Sequence, residues 1–138
     1  MARANVTVDG LVVGSIGPGL CALVGVTHDD GPDEASALAR KLWNLRVFRD
    51  DAGAMNRSVG EVGGEVLVIS QFTLYGDTRK GRRPSWLAAA RPEHAEPLVE
   101  QVVLELEKMG ATVATGRFGA DMRVDMVNDG PVTLLVEA

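Results

Sequence analysis

Residues 70–73 carry the densest set of groups suited to chemistry in this chain. The four apolar residues 66–69 predict a buried strand, and the chain then presents a hydroxyl, an amide, an aromatic ring and a second hydroxyl. Buried polar groups cost free energy unless they are paired, so polar side chains at a strand end commonly line a site. If the sheet ladder stops here, backbone N–H groups of Gln71, Phe72 or Thr73 are free to stabilise an oxyanion. The pattern equally fits a strand end that polar groups merely cap.

Gly130 and Pro131 interrupt a second stretch. Residues 123–126 alternate in polarity and residues 132–136 are apolar and β-rich, which predicts strand on both sides. Proline has no N–H to give to a ladder and glycine weakens a strand, so the backbone must turn at this pair. Since neither residue has ordinary side-chain chemistry, backbone shape is what the pair contributes.

The usual catalytic and cofactor-binding patterns are scarce. His28 and His94 are the two histidines, lie far apart and stand next to acids and turns, so we interpret both as solvated. No cluster has the spacing of metal ligands, and the glycines form neither a P-loop nor a dinucleotide fingerprint. The single cysteine, Cys21, lies in an apolar run and is interpreted as a small buried hydrophobe. These observations argue against a metal, nucleotide or triad enzyme, and we expect no metal or other cofactor.

The charge balance argues against a protein that binds nucleic acid through its overall field, since the formal net charge is −5. Four of the 14 basic residues nevertheless fall in one segment directly after the predicted central strand: Arg79, Lys80, Arg82 and Arg83. This run fits either a solvated loop or a local anion-binding patch. The chain has no apolar run of membrane-spanning length and no signal-peptide pattern, so we expect a soluble, cytoplasmic protein.

The length of 138 residues fits one domain, which we predict to span residues 1–138. Asp9 and Gly10 lie between two apolar stretches and predict a hairpin, because both residue types suit the positive φ angles of a tight turn. Residues 20–27 predict a buried strand, and residues 65–74 are the most strand-like part of the chain. Further strands are predicted around residues 46–48 and 112–117 and from residue 122 to the end.

Two amphipathic helices are predicted to cover the sheet. The first enters through Pro32, with Asp29 or Asp30 as its cap, and carries an apolar stripe within residues 35–45. The second has apolar residues on one face from residue 95 to residue 109 and ends at a glycine. The predicted fold class is α+β, with a mainly antiparallel β-sheet and two covering helices.

Two separated motifs, SQFTL at residues 70–74 and NDGPVT at residues 128–133, closely resemble the signature motifs of the D-aminoacyl-tRNA deacylases. The resemblance also takes in VTVDG, GxGLxxLVGV and KLxNLRVF in the first half, and GRRPS and TGRFGADMRVDMVNDGP later, so it covers nearly the whole chain. Family members usually begin with a further short strand that contains a Gln-Arg pair, whereas this chain begins with Met1 and Ala2. We therefore interpret the first family strand as missing here.

The resemblance implies a barrel-like core with two covering helices, in a cytoplasmic homodimer whose active sites lie at the subunit interface. It implies hydrolysis of the ester between a D-amino acid and the terminal adenosine of tRNA, and of glycyl-tRNA mischarged on tRNA(Ala). The expected partner is the acceptor end of aminoacyl-tRNA. No cofactor, membrane or DNA partner is implied.

The resemblance also implies roles for particular residues. The floor of the pocket and its backbone N–H groups would come from Ser70, Gln71, Phe72 and Thr73. The pair joined by a cis bond in that family, which enters from the partner subunit as a filter against L-amino acids, corresponds to Gly130 and Pro131. The acceptor end of tRNA would be held by the basic run Arg79, Lys80, Arg82 and Arg83.

Several alternatives stay open at the level of sequence. Either Thr73 is a nucleophile or the 2′-hydroxyl of the tRNA assists the reaction, and the second view fits better because no base is evident beside Thr73. The chain could instead be a sister deacylase that clears L-alanyl- or glycyl-tRNA, with a trans Gly-Pro bond. It could also be a non-catalytic RNA- or protein-binding module of the same fold. Sequence shows neither the isomer of a peptide bond nor which D-amino acids or tRNAs are the main substrates.

Overall fold

The computed structural model describes residues 1–138, which form eight strands, two α-helices and one 3₁₀ helix. The strands are β1 (Arg3–Val8), β2 (Leu11–Ile16), β3 (Gly19–Val24), β4 (Phe48–Arg49), β5 (Met55–Arg57), β6 (Glu65–Ser70), β7 (Val113–Thr115) and β8 (Arg123–Val127). The helices are α1 (Pro32–Asn44) and α2 (Pro92–Lys108), and the 3₁₀ helix spans Phe72–Tyr75. No helix is both long enough and apolar enough to span a lipid bilayer.

Strand β6 lies at the centre of three layers. It pairs with β3 and β7 in a parallel sheet, while β2, β1 and β8 form a second, antiparallel sheet. Side chains alternate between the faces of a strand, so Val66 and Val68 pack beneath the two helices, whereas Leu67 and Ile69 pack against β1 and β2. All four side chains are buried. The unbroken apolar run of β6 therefore reflects burial on both faces.

The predicted hairpin and both predicted helices are confirmed. β1 and β2 pair antiparallel through a turn in which Asp9 and Gly10 have φ values of 50° and 79°. Positive φ at both central residues matches the twist of a two-residue hairpin. On α1, Ala35, Ala39 and Leu42 are buried in the core shared with the parallel sheet, as the apolar stripe predicts.

The cap of α1 differs from the prediction, because Gly31 and not Asp29 or Asp30 is the N-cap residue. The Asp30 carboxylate instead accepts a hydrogen bond from the Thr27 N–H at 2.9 Å. The carboxylate of Glu34, in the first helical turn, accepts one from the Gly31 N–H at 2.9 Å. Glu34 thus supplies the acceptor at the start of the helix, and Asp30 fastens the preceding loop.

The α+β class and the two covering helices are confirmed, while the pairing of the strands is only partly antiparallel. Three of the five strand pairings are antiparallel, and the two pairings made by β6 are parallel. Parallel neighbours need a long crossover between them. The connection from β3 to β6 contains α1, and the connection from β6 to β7 contains α2, so both helices provide such crossovers.

Two predicted strands end earlier than expected. β6 stops at Ser70, where the 3₁₀ helix follows, and no strand forms beyond Val127. Past the turn at Gly130 and Pro131 the chain has no ladder partner, and Leu134 and Leu135 are 58% and 80% exposed. β-rich composition alone is insufficient there, because a strand also needs a neighbour to pair with.

Candidate active site

The polar segment after β6 begins where the parallel ladder ends. Ser70 is the last residue in register with β3, opposite Val24. The Gln71 N–H donates the next hydrogen bond, to the Val24 carbonyl at 2.8 Å. Gln71 has φ −140° and ψ 79°, and the chain then enters the 3₁₀ helix. The strand is thus followed immediately by a tight turn that lifts the next residues out of the sheet.

This turn separates the three candidate oxyanion donors. The Gln71 N–H is already used by the Val24 carbonyl, so it is not available to a substrate. The Leu74 N–H donates to the Gln71 carbonyl at 3.3 Å, which is the first i→i+3 bond of the 3₁₀ helix. The N–H groups of Phe72 and Thr73 lie ahead of this first helical bond. Like the first N–H groups of any helix, they have no acceptor within the helix. Phe72 and Thr73 therefore remain as the two backbone donors of this site.

The side chains of Phe72 and Thr73 are exposed, those of Ser70 and Gln71 are half-buried, and no general base is hydrogen-bonded to Thr73. The Gln71 amide donates a hydrogen bond to the Thr73 hydroxyl. Both histidines are occupied elsewhere, because His28 Nε2 lies 2.6 Å from the Leu87 carbonyl and His94 Nε2 lies 2.7 Å from the Asp30 carbonyl. Thr73 therefore has an amide beside it where a nucleophilic hydroxyl needs a base.

Gly25 is a supporting residue that sequence reasoning missed. It follows β3 directly beneath the turn, and a Cβ added there would lie 3.1 Å from Leu74 Cβ and 3.2 Å from the Gln71 carbonyl oxygen. A glycine within an apolar strand-like run is a known sign of close backbone approach, and that sign is present in residues 23–26. A larger residue at this position would require the turn to shift by a few tenths of an ångström.

The second motif forms an exposed loop after β8. The Asn128 amide donates to the Thr133 hydroxyl at 3.1 Å and closes the loop around Gly130 and Pro131. The Gly130–Pro131 peptide bond is cis, the isomer that the resemblance implies, and Gly130 has φ +140°. Both residues are exposed and take part in no hydrogen bond within the chain. Their backbone is thus presented to the outside of the protomer.

The basic run lies in a loop that starts just after the turn. Asp77 and Ser85 clamp the base of this loop with two backbone hydrogen bonds of 2.8 Å. The Asp77 carboxylate accepts hydrogen bonds from the Arg79 guanidinium at 2.7 to 3.1 Å and from the Arg79 N–H at 3.0 Å. These bonds hold the pKa of Asp77 down at about 2, so the pair is fully ionised at neutral pH. Lys80, Arg82 and Arg83 form no ion pair.

A cleft of about 720 Å³ is bordered by Leu74 of the first motif and by Asn128 and Thr133 of the second. Phe72, Thr73, Gly130 and Pro131 do not border it. It is bordered mainly by apolar side chains of β3 and α1 and by residues 132–138. Tyr75, the last residue of the 3₁₀ helix, also borders the cleft, but burial and the charges of Asp30 and Glu137 raise the pKa of its phenol. Tyr75 is therefore no base at neutral pH, and the turn, not the cleft, carries the groups suited to catalysis.

The structure brings residues 70–73 together in one turn, and it places Gly130 and Pro131 in a different loop. Residues 70–73 share one turn, and the loop with the basic run follows it directly in the chain. No hydrogen bond joins this turn to the loop of Gly130 and Pro131. Within one protomer the structure therefore shows a turn with backbone donors and a separate projecting loop.

Comparison with known proteins gives matches that span nearly the whole chain. A family model described as D-Tyr-tRNA(Tyr) deacylase matches residues 1–137. A protein of Heliobacterium modesticaldum named D-aminoacyl-tRNA deacylase is 62% identical over 135 residues, which cover 98% of this chain and 90% of the relative. A solved structure titled c-Myc DNA Unwinding Element Binding Protein is 38% identical, with a TM-score of 0.93 over 99% of this chain and 93% of its own.

A more distant structure, titled as a probable eukaryotic D-amino acid tRNA deacylase, shares the fold at 14% identity. Its TM-score is 0.70, over 91% of this chain and 88% of its own. The full-length family match and the high identity of the relatives agree with the two motifs that the structure places in the turn and in the projecting loop. The chain therefore belongs to the D-Tyr-tRNA(Tyr) deacylase family.

Proposed function

We propose that this protein hydrolyses the ester bond of D-aminoacyl-tRNA and releases the free D-amino acid and tRNA. The observation that carries the proposal is the turn after β6, where the N–H groups of Phe72 and Thr73 precede the first bond of the 3₁₀ helix. Two adjacent backbone donors at an exposed strand end suit the oxyanion that forms during ester hydrolysis. Membership of the family supplies the class of substrate.

In the proposed reaction, water adds to the carbonyl carbon of the ester and the carbonyl oxygen becomes negatively charged. That oxygen accepts hydrogen bonds from the N–H groups of Phe72 and Thr73. Collapse of the intermediate breaks the bond to the ribose oxygen, which takes up the proton that the water loses. The neighbouring 2′-hydroxyl of the same ribose can relay this proton, and this role is favoured because Thr73 has an amide and no base beside it.

The loop around Gly130 and Pro131 is proposed to be the chiral filter of a neighbouring subunit's site. Three features support this role: the loop projects after β8, its backbone makes no internal hydrogen bond, and the bond from Asn128 to Thr133 holds its shape. A filter built of backbone needs the missing Cβ of Gly130 and the fixed φ of Pro131. The same proposal includes two further points: residues 1–138 form a single domain, and the basic loop contacts the tRNA.

A homodimer is expected in solution. β8 is the edge strand of its sheet, and Val124 and Met126 on it remain 40% and 42% exposed. An open edge with uncovered apolar side chains is typical of a surface that pairs with another chain.

Sedimentation should give twice the 14.6 kDa chain mass. Met126→Lys should shift the protein to the monomer, whereas Leu104→Lys, at an exposed leucine of α2, should leave the dimer intact. A wild-type monomer at assay concentrations would contradict the dimer.

The decisive experiment compares D-tyrosyl-tRNA with L-tyrosyl-tRNA as substrates of the purified protein. Release of D-tyrosine alone supports the proposal. Cleavage of L-alanyl-tRNA in place of D-tyrosyl-tRNA would indicate the sister deacylase, and binding without cleavage of any substrate would indicate the RNA-binding module. The assay thus separates the three interpretations that the sequence leaves open.

Thr73→Ala is expected to retain measurable deacylation of D-tyrosyl-tRNA. The substitution removes the hydroxyl that pairs with the Gln71 amide but keeps the Thr73 N–H. The loss in kcat should be at most about 10²-fold, the effect of removing one positioned polar group. Rapid-quench kinetics and mass spectrometry would check this. An acyl group trapped on Thr73 of the wild-type protein would contradict the assigned role.

A further inference from the structure

Phe72 and Trp86 form an exposed aromatic pair that the proposed chemistry does not use. Their ring centroids lie 5.4 Å apart in an edge-to-face arrangement with an interplanar angle of 71°. Aromatic side chains normally dominate cores, yet these remain 54% and 42% exposed. The pair lies beside the two proposed oxyanion donors, because Phe72 is the first residue of the 3₁₀ helix.

The indole of Trp86 is held in a fixed position by contacts on its buried side. A Cβ added to Gly76 would lie 2.5 Å from Trp86 Cζ3 and 3.2 Å from Cε3, so the ring rests directly on the Gly76 backbone. Phe72 contacts it from a second direction. An exposed ring that is already packed on two sides loses little conformational entropy when a ligand covers it.

The aromatic pair also lies next to the unpaired positive charges. Trp86 follows Ser85, whose backbone bonds to Asp77 close the basic loop. Three chain steps separate Arg83 from Trp86, so their Cα atoms are at most about 11 Å apart. Within the loop Arg79 is neutralised by Asp77, while Lys80, Arg82 and Arg83 form no ion pair. Trp86 and the cations without an ion pair thus belong to one short segment of the chain, residues 80–86.

Resting on the proposed function, we propose that Trp86 and Phe72 stack against the unpaired nucleotides that precede the terminal adenosine of the tRNA. Lys80, Arg82 and Arg83 would contact the phosphates of the same nucleotides. Single-stranded nucleic acid is commonly bound by aromatic rings that stack with bases beside cations that follow the backbone. The complementarity of a negatively charged strand and this loop explains how a chain of net charge −5 holds RNA. Arg79 is a positioning residue that, with Asp77, shapes the loop.

The test compares two substrates that carry the same ester, D-tyrosyl-tRNA and D-tyrosyl-adenosine, which lacks the preceding nucleotides. Trp86→Leu keeps an apolar side chain on Gly76 but removes the aromatic face. It should raise KM for D-tyrosyl-tRNA about tenfold with little change in kcat, as loss of one stacked base predicts. Its kcat/KM for D-tyrosyl-adenosine should equal that of the wild type. Trp86→Phe should restore the wild-type KM for the tRNA.

Binding gives a second readout that needs no turnover. A labelled oligoribonucleotide that ends in the tRNA sequence CCA should bind Trp86→Leu more weakly than wild type. Replacing Lys80, Arg82 and Arg83 together by alanine should flatten the dependence of log affinity on log salt by about 2, the value for three contacts on a single strand. Thermal unfolding should confirm that both variants are folded.

The outcomes distinguish this inference from the proposed function. Equal losses on both substrates, or an unchanged KM for D-tyrosyl-tRNA in Trp86→Leu, would overturn the stacking surface while the deacylase activity stands. A wild-type protein that cleaves neither substrate would overturn the proposed function. The oligoribonucleotide would then still decide whether Trp86 contacts RNA.

Discussion

Phe72→Pro is expected to lower kcat for D-tyrosyl-tRNA by about 10²- to 10³-fold, the effect of removing one oxyanion donor. Proline deletes the N–H and leaves the backbone path intact. The position suits the substitution, because proline is favoured at the first residue of a helix and Phe72 is the first residue of the 3₁₀ helix. Single-turnover kinetics at saturating protein would measure the chemical step directly.

Phe72→Leu is the matched control for this prediction. Like Phe72→Pro, it removes the aromatic ring that contacts Trp86, but it keeps the backbone N–H. We therefore expect kcat to stay close to wild type while KM for the tRNA rises. The melting temperatures of the two variants should be similar, because Phe72 is exposed. If Phe72→Leu lost as much kcat as Phe72→Pro, the ring and not the backbone donor would be responsible.

D-Tyrosyl-tRNA is expected to be cleaved about 10²-fold faster than L-tyrosyl-tRNA. A site that accepts varied D-amino acids cannot recognise the side chain itself. It must distinguish the two configurations at Cα, and a rigid wall of backbone can do so by steric exclusion. An L side chain forced against such a wall costs up to about 3 kcal/mol, which corresponds to this ratio. Glycine has no side chain to strike the wall, so glycyl-tRNA should also be cleaved when the protein is in excess.

Gly130→Ala should reduce this D-to-L ratio at least about tenfold, because an L residue at φ +140° is strained by about 1–3 kcal/mol and the loop must shift. The added Cβ would also lie 3.2 Å from the Val132 nitrogen. Gly53→Ala is the control, since Gly53 has φ +81° in an open loop with no atom within 4 Å of an added Cβ.

Two results would contradict the filter. One is equal cleavage of D- and L-tyrosyl-tRNA by the wild type. The other is complete resistance of glycyl-tRNA at protein levels that clear D-alanyl-tRNA.

Mixing subunits tests which protomer's site the loop of Gly130 and Pro131 serves. Consider a dimer of one Phe72→Pro subunit and one Gly130→Ala subunit. If the loop acts on the partner, the unchanged turn of the second subunit meets the unchanged loop of the first, so one site is intact. If the loop acts within its own subunit, each site contains one of the two substitutions.

The sequence by itself determined the elements whose cause is local. The hairpin at Asp9 and Gly10 follows from the φ angles that these residue types tolerate, and the two helices follow from apolar periodicity. The family was also readable from sequence, because its two motifs combine fixed residue types with fixed spacing.

The tertiary structure decided what depends on contacts between distant segments. Alternation and composition do not say which strands are neighbours, so the parallel pairing of β6 with β3 was not predicted. That pairing places the Val24 carbonyl against the Gln71 N–H and so removes one of the three candidate donors. Likewise, Trp86 contacts Phe72 only because the chain folds back through the loop that Asp77 and Ser85 close. Local patterns set which groups are present, whereas long-range pairing sets which of them remain free to act.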